Sequence, residues 1–199
     1  MTGLMVDVLG YPKFAARGSD LGAGVLRQMA LAPPDRLIGL HLSGINPYVG
    51  VVPDDLSPEE AAFVHRAQGW MQSEMADAMP HSSGPDTVAF GLGDSFAGLA
   101  AWMLEKFHAS TDTPDFLARD GRDRLLASLT LSWATGAIRS SMRHYYETVR
   151  DTGQWGRVEV PTAMLMVLHD MFAAPRAWAE RSYNGQRWTE IDRGRHFPE

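Results

Sequence analysis

Two short, almost continuously apolar runs constrain the fold of this chain more than any other feature of its sequence. They occupy residues 36–42 (RLIGLHL) and 163–168 (AMLMVL). Strands that are buried on both faces have this composition, and such strands occur in parallel sheets covered by helices. Two further candidate strands, residues 14–17 and 187–191, accompany them, and a helix is predicted over residues 21–31. The pattern therefore predicts an α/β fold with a mainly parallel sheet.

The segment between the two apolar runs is typical of an almost wholly helical region. Three helices are predicted there, with approximate bounds 57–79, 94–108 and 122–150. Ser57 and Asp94 are the predicted N-caps of the first two helices, and Gly136 is the predicted break in the third. Two α/β segments around a helical insertion predict a core domain and a cap domain. Their bounds are 1–43 with 155–199 for the core and 44–154 for the cap.

Composition and charge exclude several classes of function. The chain has no cysteine, which excludes a disulfide framework, a thiolate metal site and a cysteine nucleophile. Its formal net charge is −6 and no basic stripe is visible, so nucleic acid is not an expected partner. The N-terminus lacks the pattern of a signal peptide, and no run reaches the roughly 20 apolar residues of a membrane span. We therefore expect a cytoplasmic protein with no membrane partner, and the abundance of Ala, Arg and Asp indicates a bacterial gene.

Asp20 lies between Gly18 and Gly22, where the first predicted strand meets the following helix. This is the pattern of a nucleophile elbow, a sharp strand-to-helix turn, with aspartate in place of serine. We expect small residues to be required at both positions because the turn brings the strand and helix backbones close together. The N–H groups and the dipole at the helix N-terminus would keep the carboxylate ionised, as a nucleophile must be. The alternative interpretation is an ordinary aspartate that caps the helix.

Two further polar residues follow predicted strands. Asp170 comes after the apolar run 163–168, and His196 comes after the last predicted strand. Functional groups of parallel α/β sheets gather at the carboxyl ends of the strands, so these side chains are expected near Asp20. Taken alone, a histidine after a strand is more often structural. The chain order nucleophile, acid, histidine is that of α/β-hydrolases, which favours a catalytic triad.

Several segments of the sequence together resemble epoxide hydrolases of the microsomal type, from about Leu4 to His196. The matching segments are LGYPKFAARGSDLGAGV, DRLIGLHL, GPDTVAFGLGDSFAGLAAWMLEKF, LSWATGAIRSSMRHYYE, VPTAMLMVLHD and RSYNGQRWTEIDRGRHF. The segments from the helical region are the most specific, because such long combinations are hard to reach by chance. The resemblance implies part of an α/β-hydrolase core with a helical cap, and a small-molecule epoxide as substrate.

The resemblance also implies roles for individual residues. Asp20 would attack an epoxide carbon and form an alkyl ester, and His196, oriented by Asp170, would activate the water that hydrolyses this ester. Tyr145 matches one of two cap tyrosines that donate hydrogen bonds to the leaving epoxide oxygen. The backbone N–H of Leu21 would serve as one oxyanion donor. No metal or other cofactor is implied.

Trp102 and Trp133 are expected among the substrate-binding residues of an apolar pocket, although packing of the core explains them equally well. The first of the two cap tyrosines has no counterpart, and its place falls near Asp77. Leu21 stands where the family usually has tryptophan, and Arg195 stands where a glycine precedes the histidine. Proton donation is therefore expected to depend on Tyr145 alone, unless the local alignment is shifted.

No segment of the chain matches the family's His-Gly-x-Pro loop or the strands that precede the elbow. The sequence thus corresponds to roughly the second half of the family's chain, with the N-terminal strands of the core missing. We expect the strand 14–17 to leave an open sheet edge and apolar surface. The chain would then be marginally stable by itself, or a second copy or a partner chain would cover that edge.

Three alternatives stand beside an active epoxide hydrolase. An inactive remnant would retain the triad by descent, and a non-catalytic binder would hold an apolar ligand without turnover. A haloalkane dehalogenase would also use an aspartate nucleophile, but Leu21 stands where those enzymes use a tryptophan to hold halide. The substitution Asp20→Asn separates the catalytic alternatives from the binding one, because it should abolish turnover and leave ligand binding nearly intact.

Overall fold

Four strands form one parallel sheet, in the order β1-β2-β3-β4. The strands are β1 (Phe14–Ser19), β2 (Leu37–Ser43), β3 (Val158–Val167) and β4 (Tyr183–Ile191). The computed structural model describes residues 1–32, 34–45, 52–74, 78–110, 115, 117, 121–150, 156–170, 172–194 and 196. The predicted α/β class with a mainly parallel sheet is confirmed within these residues. β1 pairs with β2 alone there, so it is an edge strand of the described sheet.

Helices connect the strands and fill the middle of the chain. Those with described bounds are α1 (Leu21–Leu31), α2 (Pro58–Glu74), α3 (Ala78–Ser83), α4 (Pro85–Asp94), α5 (Phe96–Ala109), α6 (Arg122–Thr135), α7 (Ile138–Thr148) and α8 (Arg176–Ser182). A π-helical turn at Leu4–Val8 and a 3-10 turn at Pro34–Arg36 precede β1 and β2 respectively. The first predicted helix of the middle region is described as α2 up to Glu74, and the described residues next to its predicted end, Ala78 and Met79, are also helical.

β3 is longer than the apolar run that predicted it. Val158 and Val160 are buried, whereas Glu159 and Pro161 are exposed, so the first part of the strand alternates in polarity. Residues of α1 and α8 pack against the buried side chains of β2 and β3 in one core cluster. A strand with one covered face alternates in this way. The continuous apolar run at residues 163–168 therefore marks only the carboxyl-terminal part of β3.

The pairing of β3 with β4 contains two irregularities in register. They lie within residues 158–161 and 162–163. Beyond the second irregularity the register is regular, and the last residue of β3, Val167, lies opposite Ile191, the last residue of β4. These two register shifts therefore set which residues of the two strands are level at the carboxyl end of the sheet.

The start of α2 is capped as predicted and is held to α8 by an ion pair. The Glu60 N–H donates to Ser57 Oγ at 3.3 Å, and the Ser57 N–H donates to the Glu60 carboxylate at 2.9 Å. The same carboxylate is buried and accepts two hydrogen bonds from the Arg181 guanidinium, at 2.6 and 3.1 Å. The pKa of Glu60 is lowered to about 2, and the hydrogen bonds from Arg181 are the largest cause of this. Arg181 also donates to Asp55 at 2.9 Å.

The predicted cap of the next helix, Asp94, is wrong by one residue. Asp94 is the last residue of α4, and Ser95 caps α5 by accepting a hydrogen bond from the Gly98 N–H at 3.0 Å. Ser95 has extended backbone (φ −131°, ψ 106°), as an N-cap requires. The predicted break near Gly136 is confirmed, because Gly136 has φ +63° and lies between α6 and α7.

The chain divides into two compact units by its internal contacts. Unit 1 comprises Met1–Gln68 and Gly153–Glu199, and it contains the sheet with α1 and α8. Unit 2 comprises Gly69–Thr152 and contains α3 to α7, with a small core of its own around Leu99 and Met142. The bounds of the core and cap domains given above stay a prediction.

Among the described residues, no single helix combines the length and the apolar composition needed to cross a membrane. The helices α4 and α5 meet that criterion only as a pair, and this pair is bent by 117°.

Candidate active site

Asp20 occupies a strained turn between β1 and α1. Its backbone has φ 50° and ψ −127°, and within the described residues it is the one non-glycine residue with positive φ. Such a conformation costs of order 1–3 kcal/mol and persists only where the surrounding structure enforces it. The turn has the sharp geometry expected of an elbow.

The two glycines that flank Asp20 are not equivalent. A Cβ on Gly18 would lie 2.8 Å from the carbonyl carbon of Gly22, and 2.9 Å from both its oxygen and Leu26 Cδ1. A Cβ on Gly22 would meet no described atom within 4 Å. The expectation that a small residue is required at both positions is therefore wrong for Gly22, where an added Cβ lies in open space. The backbones do approach closely, but a side chain on Gly18 would point into the gap, whereas one on Gly22 would not.

The carboxylate of Asp20 does not cap α1. Asp20 holds the N-cap position, yet its side chain accepts no hydrogen bond from the first turn of the helix. Instead, Asp20 Oδ1 lies 3.4 Å from His196 Nε2, and the Asp20 side chain is 44% exposed. The interpretation as an ordinary capping aspartate is thus not supported, and the carboxylate is accessible to a small molecule.

His196 contacts both predicted acidic residues. Its Nδ1 lies 3.2 Å from Asp170 Oδ1, and its Nε2 is directed to Asp20. A carboxylate only accepts hydrogen bonds, so Nδ1 carries a proton and donates it to Asp170. Asp170 and His196 are 5% and 10% exposed, which fixes their orientation. Asp20, Asp170 and His196 follow the carboxyl ends of β1, β3 and β4, and the structure brings the three together.

The charge of the two carboxylates determines the protonation of His196. Burial lowers the pKa of His196, but the hydrogen bonds and charges of Asp170 and Asp20 raise it by more, to about 9. The imidazolium form therefore prevails at neutral pH while both carboxylates are ionised. Loss of either negative charge would remove one of the causes that raise this pKa.

Gly44 is a site residue that the sequence analysis missed. It lies just after β2 with φ +75°, a conformation that favours glycine, and a Cβ on it would lie 3.8 Å from Asp170 Oδ2. Its backbone therefore forms one wall of the space around the Asp170 carboxylate. The available signal was a glycine directly after the buried end of a predicted strand.

The aromatic residues expected in the site lie in unit 2. The rings of Tyr145 and Trp102 both pack on His81, with centroid distances of 4.9 and 5.3 Å. Trp133 is 37% exposed and packs edge-on against Phe96, with centroids 5.6 Å apart. The structure thus brings Tyr145 and Trp102 to the same buried histidine and gives Trp133 a different aromatic partner.

Leu21, the predicted oxyanion donor, is the first residue of α1. Its N–H is one of the first-turn groups that have no partner within the helix. Asp77 and Arg195 lie outside the described residues. Within the ranges that are described, no three His, Cys, Asp or Glu side chains are grouped so that they could hold a metal ion.

Comparison with known proteins finds epoxide hydrolases over nearly the whole chain. A protein of Stigmatella aurantiaca that carries the name of an epoxide hydrolase is 35% identical over 196 residues, which cover 97% of this chain and 44% of that protein. Epoxide hydrolase 1 of Sus scrofa is 30% identical, and its matched region covers 95% of this chain and 48% of that protein. The chain spans about half the length of the curated relatives it matches. No model of a protein family matches the chain.

Solved structures agree with this comparison. The juvenile hormone epoxide hydrolase of the silkworm Bombyx mori superposes with a TM-score of 0.77 at 27% identity, over 96% of this chain and 52% of that one. The epoxide hydrolase of Aspergillus niger gives a TM-score of 0.79 at 24% identity, over 96% of this chain and 49% of that one, a likeness that concerns the fold. The chain is thus similar, over nearly all of its length, to about half of an epoxide hydrolase with the α/β-hydrolase fold.

Proposed function

We propose that the protein is an epoxide hydrolase, which converts a small-molecule epoxide to a vicinal diol through an ester of Asp20. The observation that carries this proposal is the contact of one imidazole, His196, with two carboxylates at 3.2 and 3.4 Å, one of them on a strained elbow. The names of the relatives and the cap segments of the sequence support the same reaction. The assignment of residues 44–154 as a cap domain is part of this proposal.

In the first step, an oxygen of the Asp20 carboxylate attacks an epoxide carbon. The carbon–oxygen bond of the epoxide breaks, and an alkyl ester of Asp20 forms. The leaving alkoxide needs a proton, and Tyr145 is the proposed donor because a phenol can follow the developing charge without a fixed cation in the site. This role of Tyr145, which lies in unit 2, rests on the sequence resemblance.

In the second step, water attacks the carbonyl carbon of the Asp20 ester. His196 Nε2 accepts a proton from this water while Asp170 holds the ring through Nδ1. The backbone N–H of Leu21 donates to the negative oxygen that forms on the ester carbonyl. Collapse of this intermediate releases the diol and restores the Asp20 carboxylate, and the proton on His196 returns to the Tyr145 phenolate.

The electrostatics of His196 suit this order of events. With a pKa raised to about 9, His196 is protonated at neutral pH and cannot act as a base. Formation of the ester removes the negative charge of Asp20, which is one of the causes that raise this pKa. The pKa of His196 therefore falls, so His196 releases its Nε2 proton to the solvent and acts as the base in the second step; it takes a proton from the solvent again once the Asp20 carboxylate is restored. The reaction so described requires no metal and no cofactor.

The test compares four forms of the purified protein with an aryl epoxide such as styrene oxide. These are wild type, Asp20→Asn, His196→Gln and the control Asp192→Asn, which changes an exposed aspartate just after β4. Wild type and the control should form diol, and Asp20→Asn should not. His196→Gln should accumulate a covalent adduct with the mass of the epoxide, and peptide mapping should locate this adduct on Asp20.

Diol formation by Asp20→Asn at the wild-type rate would contradict the proposed mechanism. An epoxide that binds wild type and Asp20→Asn equally and is turned over by neither would favour the alternative of a non-catalytic binder of apolar ligands. Trp102 and Trp133 are the proposed contacts for the apolar part of the substrate, so their replacement by Ala should mainly raise KM.

The composition supports two further parts of the proposal, a bacterial source and a cytoplasmic location. We also propose that a second copy or a partner chain covers the edge of β1. Cell fractionation tests the cytoplasmic location, and the oligomeric state in solution tests whether another chain covers the edge of β1. Both tests are independent of the activity.

A further inference from the structure

His81 is a buried histidine of unit 2 that the proposed mechanism does not use. It lies on α3 and is 5% exposed, and both of its ring nitrogens are buried. Polar side chains are seldom enclosed to this degree, so a specific task is expected of this one. Its enclosure leaves little of the ring exposed to a substrate.

The ring of His81 lies between two aromatic side chains. Its centroid is 4.9 Å from that of Tyr145, at an interplanar angle of 55°, and 5.3 Å from that of Trp102, at 44°. Both distances are in the range of interacting aromatic pairs, which prefer tilted arrangements. The three rings come from α3, α7 and α5, so His81 joins the helix that carries Tyr145 to two others.

Tyr145 has a second histidine neighbour that provides a comparison. His144 precedes it on α7, with ring centroids 6.4 Å apart, but His144 is exposed and pairs with Thr148 Oγ1 at 3.4 Å. The buried neighbour, and not the exposed one, is therefore placed to restrict rotation of the Tyr145 ring.

We infer that His81 is a positioning residue for Tyr145, whose ring packing fixes the direction of the phenol O–H. This inference rests on the proposed function, in which Tyr145 gives its proton to the epoxide oxygen. Proton donation is sensitive to geometry, and a displacement of about 1 Å can lower a rate about 100-fold. His81 acts on proton donation through Tyr145, whereas its contact with Trp102, a proposed substrate contact, acts on KM. The effect through Tyr145 is therefore read from kcat.

The test uses His81→Leu, which removes the ring, and His81→Phe, which keeps a ring of similar breadth. His144→Leu is the matched control next to the same tyrosine. For His81→Leu we expect kcat to fall about 10- to 100-fold, and by a larger factor than any rise in KM. His81→Phe should restore most of kcat, and His144→Leu should match wild type. Thermal melting of all variants shows whether any loss of kcat follows a loss of folded protein.

Wild-type kcat in His81→Leu would overturn the inference, and so would a His81→Phe variant as impaired as His81→Leu. A kcat that falls only in proportion to the folded fraction would also overturn it. If wild type forms no diol, the proposed function fails and the inference is tested by NMR of ring-labelled tyrosine, with the Tyr145 signal assigned through Tyr145→Phe. His81→Leu should then move that signal further than His144→Leu does, and an equal, smaller or absent movement in His81→Leu would overturn the inference.

Discussion

The close approach of β1 and α1 at Gly18 predicts how the elbow responds to one added methyl group. In Gly18→Ala the new Cβ would lie 2.8 to 2.9 Å from backbone atoms of Gly22 and from Leu26 Cδ1. Ordinary contacts of this kind are longer by about half an ångström or more. The Leu26 side chain can rotate, but the Gly22 backbone belongs to α1, so the helix must move away from the strand.

The magnitude follows from the kind of displacement. Overpacking of this type costs about 1–3 kcal/mol, and for a chain of this length each kcal/mol lowers Tm by about 2–4 °C. We therefore expect Gly18→Ala to melt roughly 2–12 °C below wild type. Gly22→Ala should not lower Tm, because its Cβ meets no described atom within 4 Å. Alanine is up to about 1 kcal/mol more favourable than glycine inside a helix, so this variant should equal or exceed the wild-type Tm.

Thermal and urea denaturation of the two variants measure the difference. Gly24→Ala is a second control, since it adds the same methyl group to the same helix at a position that is also open. Equal stability of Gly18→Ala and wild type would refute the reasoning, as would a Gly22→Ala variant that is as unstable as Gly18→Ala.

Three further outcomes are expected. Asp20→Asn should lower the pKa of His196 from about 9 by roughly 1–2 units, and an unchanged NMR titration would contradict the pairing of the two side chains. Since this pKa is raised from 6.5, the stability that His196 contributes is fully present below pH 6.5 and is lost as pH rises through 9. This loss of stability should be smaller in Asp20→Asn. Glu60, with its pKa lowered from 4.5 to about 2, contributes stability above pH 4.5 that is lost as pH falls toward 2. At pH 7, Glu60→Gln should therefore be less stable than wild type by about 1.5–3 kcal/mol. On acidification its free energy of unfolding should fall by less than that of wild type, as measured by urea unfolding at each pH. Ser95→Ala should destabilise by about 1 kcal/mol in the same assay, whereas Asp94→Ala should have a smaller effect.

The features that could be predicted from the sequence are those formed by residues close together in the chain. The elbow is local, because strand, glycine, aspartate and helix follow one another in about ten residues around Asp20. The positions of Asp170 and His196 after strands were also visible, and the parallel arrangement of those strands implied that their ends would meet. The roles of these residues stay a prediction.

Features that depend on distant residues or on small differences could not be predicted. Ser95 and Asp94 are both good caps, and the choice between them depends on how far α4 continues. The ion pair of Glu60 with Arg181 joins residues 121 positions apart. The environment of His81 is formed by three helices, so nothing in its own neighbourhood of the chain distinguished it. Gly22 satisfied a sequence pattern, but only the geometry showed that the restriction falls on Gly18.

The register between β3 and β4 affects the kinds of genetic change that this chain can tolerate. One residue gained or lost beyond the second register shift would slide one strand by about 3.3 Å along the other, and the side chains of that strand would then point to the opposite faces of the sheet. Asp170 and His196 follow the ends of these two strands, so such a change would separate Nδ1 from the carboxylate it now meets at 3.2 Å. Point substitutions on the exposed face of β3 leave that spacing intact. We therefore expect natural variants of this region to differ by substitution and to be almost free of insertions and deletions between residues 163 and 167, with length changes found in the loops instead.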